Sequence, residues 1–297
     1  MEINSAIADR ARAGDTLTAA ELDELAAADL LSLGMLADEV RRSRVGDTVT
    51  YVRVFDWAGG DGWADKAAEV RISALPDSLD AAVALVTEGR RIAENRVLSA
   101  FSLADIIDRA WAPLPEVLKT LTAAGLDAIA EAPIDRTANL DEALQACHDA
   151  AIAVRAISLQ KPAGELRIDL LLHLQSLAAK FPDLQTVAPL PRQQSVAVPT
   201  TGYDDVRAVA MARLALPSVR NIQVDWAQYG PKLAQVALTF GANDVDRVSP
   251  IDDETLGRRR TALEDVTRNI VAAGFTPAER PFESRRGDAS RLPQGKQ

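Results

Sequence analysis

Short β-branched or apolar runs alternate with amphipathic segments of helical period through most of this chain, from Thr48 onward. The predicted strands are Thr48 to Phe55, Glu69 to Ala74, Asn95 to Phe101, Leu126 to Ala132, Ala151 to Leu159, Leu184 to Leu190, Asn221 to Trp226 and Gly241 to Val248. Helical patterns fall between them at Ser78 to Glu94, Ser102 to Ala124 with a break at Pro113 or Pro115, Leu140 to Ala150, Glu165 to Lys180, Asp204 to Leu216, Lys232 to Phe240 and Leu256 to Ala273. Parallel neighbours need a crossover helix, so strand–helix units of this spacing predict a parallel sheet. Eight of them predict closure into a TIM-like (β/α)8 barrel of the α/β class.

Ahead of the barrel, Ile3 to Arg44 reads as helices. Thr18 is a predicted N-cap with Glu21 three residues on, a capping box. The segment LLSLGMLADEVRRSR follows, and Gly46-Asp47 ends it. The expected organisation is an N-terminal helical extension over 1–46 packed on the barrel, the barrel over 47–283, and a tail. That tail, Ser284 to Gln297, has no apolar periodicity and is expected to be disordered. The stretch Asp56 to Lys66 has little room for a helix, so the first crossover is expected to be abbreviated.

Composition narrows the function more than the fold. Apolar residues at 47% and charged residues at 26% fit a chain with a sizeable core. A net charge of −10 repels phosphate backbones and anionic lipid, and Arg258-Arg259-Arg260 is too short a run to reverse that. Nucleic acid and membrane are therefore not expected partners. No apolar run of membrane-spanning length and no secretory leader pattern is read, which makes the cytoplasm the expected compartment. One cysteine, Cys147, excludes an internal disulfide, and no Cys and His cluster has zinc spacing. His148 and His173 fall on outer-ring helices and read as helix-surface or interhelix residues.

Several segments resemble one enzyme family. LLSLGMLADEVRRSRVGDTVTYVRV is similar to the entry into the barrel of aminofutalosine synthase, dehypoxanthine futalosine cyclase and the tyrosine-using subunit of the deazaflavin (FO) synthase, which are radical S-adenosylmethionine enzymes. SAFSLADIIDRAWAPLPEVLKTLTAAGLD resembles the middle of those enzymes, and MARLALPSVRNIQVDWAQYGPKLAQVALTFGANDVDRV, Met211 to Val248, resembles the closing part of their barrel. The resemblance implies a [4Fe–4S] cluster held by a C-x₃-C-x₂-C motif after the first strand. Here that place reads VRVFDWAGGDGWADKAAEVR, without a cysteine. A cluster needs several thiolates, so no [4Fe–4S] cluster and no radical initiation are expected, while S-adenosylmethionine binding stays open.

In a barrel, ligands sit at the carboxyl ends of the strands. The ligand-binding candidates expected there are Asp56, Trp57, Ser99, Arg155, Arg192, Trp226, Asn243 and Arg247; the acid/base candidates are Glu131, Asp225 and Asp244. Ser73, Asp135, Ser158, Gln193 and Asp246 fall at the same level. Asp225-Trp226 and Gly241-Ala242-Asn243-Asp244 stand out as adjacent strand ends, where a ring can stack on a purine or ribose while an acid accepts from a hydroxyl. The plainer alternative is that Asn and Asp are turn residues and the tryptophan packs the wall. Arg155 interrupts an apolar strand and needs a partner, for which Glu131 on the preceding strand is the expected one.

Three functions stay open: a barrel that binds a nucleoside or enol-ether metabolite of the futalosine route to menaquinone, a non-radical acid/base enzyme of lyase or hydrolase type, and a pseudoenzyme that forms a homo- or hetero-oligomer with a radical S-adenosylmethionine homologue.

Overall fold

A computed structural model describes residues 2–60, 66–161, 166–193, 200–251 and 263–280. Three helices come first: α1 (Ser5–Ala13), α2 (Ala19–Ala26) and α3 (Leu30–Val45). The Thr18 hydroxyl accepts from Glu21 N while the Glu21 side chain returns to the Thr18 backbone, so the predicted capping box is formed. At the far end of α3, Gly46 takes φ 68° and stops the helix.

Two compact units follow from the chain's packing. The first holds Met1–Arg53, Pro133–Arg136 and Ala156–Arg280; the second holds Val54–Ala132 and Thr137–Arg155 among the described residues. Strand β1 (Thr48–Trp57) begins in the first and ends in the second. The second continues with β2 (Glu69–Ile72), α4 (Leu79–Ala93), β3 (Val97–Ser102), α5 (Leu103–Arg109), α6 (Leu114–Ala123), β4 (Ala128–Pro133), α7 (Leu140–Asp149) and β5 (Ala153–Val154). The first is completed by β6 (Ile157–Leu159), α8 (Ile168–Lys180), β7 (Thr186–Pro191), α9 (Gly202–Ala215), β8 (Asn221–Asp225), α10 (Trp226–Leu238), β9 (Asp244–Val248), α11 (Leu263–Ala272) and β10 (Thr276–Glu279).

The strand order is β10-β1-β2-β3-β4-β6-β7-β8-β9, with β5 beside β4 and β1 paired again with β9. This parallel order, returning from β9 to β1, is that of a TIM-like (β/α)8 barrel. The expected class holds, with four local differences. The strand expected over Ala151 to Leu159 is two short pieces, β5 and β6, separated at Arg155, whose amide donates to Ile129 O at 2.9 Å. Strand β10 was not anticipated; it pairs with the first half of β1, from Thr48↔Thr276 to Tyr51↔Glu279. Helix α10 starts earlier than expected and is kinked at Gly230, φ 74°, just before Pro231. Strand β9 starts at Asp244, so Gly241, Ala242 and Asn243 precede it. The segments 61–65 and 256–262 and the tail from Ser284 lie outside the described residues.

Side chains alternate along the short strands with a period of two. One face of β8 carries Asn221, Gln223 and Asp225 and the other Ile222 and Val224, all buried. In β9 Asp244 and Asp246 alternate with Val245, and in β2 Glu69 and Arg71 alternate with Val70 and Ile72. With helices covering the outside of a barrel, the polar set faces inward. Behind β8 and β9, α3 packs closely on the chain after α10. A Cβ added at Gly34 would come within 2.5 Å of the Phe240 ring.

Candidate functional site

The first unit holds a buried polar network at the ends of β7, β8 and β9. Asp225 closes β8 and is the N-cap of α10: its Oδ1 accepts from Gln228 N at 2.9 Å. Its Oδ2 faces Arg192, just past β7, at 3.1 Å and Arg247, near the end of β9, at 3.7 Å. The side chain is fully buried. Burial pushes its carboxyl above the usual aspartate range, Arg192 and Arg247 pull it down, and the neighbouring Asp246 pushes it up again. Asp225 and Asp246 are register partners on adjacent strands. Arg192 also approaches Gln223 Oε1 at 3.5 Å. Arg247 takes φ 55°, a left-handed backbone rarely adopted by a residue with a long side chain.

Trp226 follows Asp225 directly and is 1% exposed. Its indole N–H has no hydrogen-bond partner among the described residues. Tyr229, one turn on, donates to Pro191 O at 2.6 Å, and Gln228 Nε2 donates to the same carbonyl at 2.7 Å. These bonds fix the first turn of α10 to the end of β7.

Deeper in the same unit, Asp244 is also fully buried, and its oxygens are taken up within the fold. The Thr50 hydroxyl donates to Oδ1, Gln223 Nε2 donates to Oδ2 at 2.8 Å, and Arg280 lies 3.2 Å from Oδ2. Asp244 is therefore the anchor of Arg280, the residue after β10, and stands at the start of its strand. Asn243 lies further from the mouth. Its Oδ1 accepts from Ile222 N at 2.9 Å and from Arg213, and its Nδ2 donates to Asn221 Oδ1 at 3.2 Å. Arg213 on α9 is fully buried and also donates to the carbonyls of Gly241 at 2.9 Å and of Val219 and Arg220 at 3.3 Å. Burial pushes its guanidinium down to about 9, still cationic at neutral pH. The expectation that Gly241 to Asp244 sits at a carboxyl strand end is thus corrected: these residues lead into β9, and two of them, Gly241 and Asn243, lock α9 to β8 and β9 through Arg213. Gly241 has φ 103°, and a Cβ there would meet Arg213 Cβ at 2.8 Å.

The second unit holds its own network. Glu69 on β2 is fully buried; Arg71 meets its Oε1 at 2.7 Å, the Ser99 hydroxyl donates to Oε1 at 2.6 Å, and Arg155 meets Oε2 at 2.7 Å. Arg155 is therefore paired with Glu69, two strands beyond β4 in the sheet order. Glu131 is half-buried on β4, in register with Ser102 of β3. Ser99, expected at the mouth, is committed to Glu69. Trp57 is 2% exposed, donates to Gly60 O at 3.0 Å and packs over Gly89 of α4, where a Cβ would meet its ring at 3.1 Å. Its ring belongs to the strand–helix layer, which corrects its reading as a ligand platform. Asp56 beside it is exposed.

Of the residues expected from sequence, Arg192, Asp225, Trp226 and Arg247 meet at one place, and Ser99 and Arg155 meet at another. Glu69, Arg71, Gln223 and Arg280 were not anticipated. The signal for the first three was the alternation of polar and apolar residues in EVRI and NIQVD.

Comparison with known proteins matches residues 177–288 to the CofH/MqnC C-terminal region family. A 5-amino-6-(D-ribitylamino)uracil–L-tyrosine 4-hydroxyphenyl transferase of Archaeoglobus fulgidus is 27% identical over 82% of this chain and 90% of its own length. An aminodeoxyfutalosine synthase of Thermus thermophilus is 31% identical over 57% of this chain and 54% of its own. The chain is a homologue of the CofH/MqnC family. Among solved structures, the CofH/MqnC homologue resembles methylornithine synthase (PylB), with a TM-score of 0.68 at 15% identity over 96% of this chain and all of that one. The hydrogenase maturase HydG gives 0.66 at 13% identity over 93% of this chain and 75% of that one. These likenesses establish the barrel fold.

The cluster of the radical S-adenosylmethionine enzymes does not fit this homologue. Where the resemblance places three cysteines, β1 runs into Trp57-Ala58-Gly59-Gly60, and the sequence through Lys66 holds none. Cys147 is on α7, buried and remote from the end of β1 in sequence. One thiol cannot supply the ligand set of a [4Fe–4S] cluster.

Proposed function

We propose that this chain binds a hydroxyl-rich small metabolite of the nucleoside or ribityl class at the ends of β7, β8 and β9, without radical chemistry. The observation that carries the reading is the fully buried Asp225 held between Arg192 and Arg247, in a homologue without cluster ligands. A carboxylate flanked by two guanidiniums and an amide offers acceptors and donors side by side, and vicinal hydroxyls use both. The indole N–H of Trp226 adds an unsatisfied donor next to the acid. The relatives' names, a ribitylaminouracil transferase in one case and an aminodeoxyfutalosine synthase in another, support a ribityl or ribosyl ligand. The same similarity supports a role beside menaquinone synthesis by the futalosine route.

A second reading rests on the elevated Asp225 carboxyl. A buried acid whose charged form is disfavoured by desolvation is a candidate general acid or base, so non-radical lyase or hydrolase chemistry at the same place is the alternative.

Thermal-shift titration with 5-amino-6-ribitylaminouracil, aminodeoxyfutalosine and S-adenosylmethionine tests the proposal. Stabilisation by a ribityl or ribosyl compound that drops at least tenfold in affinity in Asp225→Asn supports it. Turnover of that compound moves the assignment to the acid/base reading. No response from any of the three overturns both.

A further inference from the structure

A separate cavity of about 150 Å³ lies in the first unit between β6, β7 and the first turns of α8 and α9. Its walls are mostly apolar: Ile157, Leu171, Leu174 and Val187 are all buried and line it. Six polar side chains also line it, Ser158, Arg167, Thr200, Asp204, Asp205 and Arg207, of which Ser158 and Asp205 are buried. The Ser158 hydroxyl, on a residue 1% exposed, has no hydrogen-bond partner among the described residues. Asp205, in the first turn of α9, is buried, and the Thr200 hydroxyl donates to it. None of these residues belongs to the Asp225 network.

A buried hydroxyl without a partner costs free energy comparable to a lost hydrogen bond, and a desolvated carboxylate keeps unused lone pairs. Apolar space of this size is enough for one six-membered ring. An apolar ring alone would leave Ser158 and Asp205 as they are. We propose that this cavity is a second ligand site, taking a compact single-ring molecule that carries one hydrogen-bond donor, a hydroxyl or an amine. The ring fills the space against Leu171, Leu174 and Val187, and the donor is shared by Asp205 and Ser158. Such a site places a small aromatic next to the helix whose other end, through Arg213, is tied to β8 and β9.

Methyl-resolved NMR titration of the full chain with phenol, aniline and toluene tests this. Saturable shifts of the Ile157, Leu171 and Leu174 methyls are expected with phenol and aniline, with toluene at least fivefold weaker. Ala208→Leu on α9 fills the cavity and is expected to weaken phenol and aniline at least tenfold; Ala188→Leu on β7 does the same should the first variant fail to fold. Asp225→Asn is expected to leave these titrations unchanged, which separates this site from the one proposed above. The inference is overturned by absent saturation with phenol and aniline, by toluene binding as tightly as phenol, or by undiminished binding in a folded cavity-filling variant.

Discussion

Arg155, at the break between β5 and β6, reaches Glu69 at the start of β2 with 2.7 Å between Nη2 and Oε2. The carboxylate also holds Arg71 and Ser99, so one acid is shared by two guanidiniums inside the second unit. Removing one partner of a buried pair leaves the other charge uncompensated. Glu69→Ala is expected to lower unfolding stability by about 3–5 kcal/mol, read from the shift of the urea midpoint at unchanged slope.

Arg213, Gly241 and Asn243 form a lock beneath β8 and β9. Arg213→Ala strips donors from three backbone carbonyls and from Asn243, and a loss of about 3 kcal/mol or more is expected in denaturant unfolding. Asn243→Ala removes an acceptor from the same guanidinium. A double-mutant cycle between the two is expected to show coupling of about 1 kcal/mol or more; additive losses would contradict the lock.

Asp225 and Asp205 both have carboxyls raised by burial. A group whose folded pKa lies above its unfolded value binds more protons when folded, so its contribution is complete below the ordinary aspartate value and is lost as pH rises through the folded one. Stability measured upward from about pH 4 is expected to fall in this window on their account, and Asp225→Asn is expected to flatten the slope. Comparing urea midpoints of wild type and variant at pH 4 and 7 checks the sign.

Anaerobic reconstitution with ferrous iron and sulfide is expected to leave the protein without the broad absorbance near 400 nm that marks a [4Fe–4S] cluster, because Cys147 is a single thiolate source. Iron and sulfide analysis after desalting provides the check. A stoichiometric cluster would refute the proposed absence of radical chemistry.

The strand–helix alternation made the barrel legible, since the period changes from two to 3.6 at nearly every junction and Thr18 with Glu21 marks a helix start by local chemistry alone. Strand β10 escaped because TPAE has neither an apolar run nor β-branched enrichment; its backbone pairing with β1 is what makes it a strand. Asp225, Arg192 and Arg247 were each legible as residues at or near strand ends, but periodicity alone does not show that they converge. Asn243 and Asp244 were placed at the wrong end because Gly241 and Ala242 were counted within the strand, and the left-handed backbone of Gly241 delays its start. Trp57 was read toward the mouth because periodicity does not say which face of a sheet a terminal residue takes. Glu69 went unnoticed for a different reason: a lone glutamate beginning a strand looks solvated until Arg155, far along the chain, is brought against it.

Gly34 gives helix α3 a reach beyond its own surface. Because the ring of Phe240 fills the place of its missing side chain, a larger residue there would lever the end of α10 outward, and α10 begins at Asp225 and Trp226. The seating of the Asp225 carboxylate is thereby hostage to a hydrogen atom on a helix outside its network, so a change there can be felt at Asp225 without touching any of its partners.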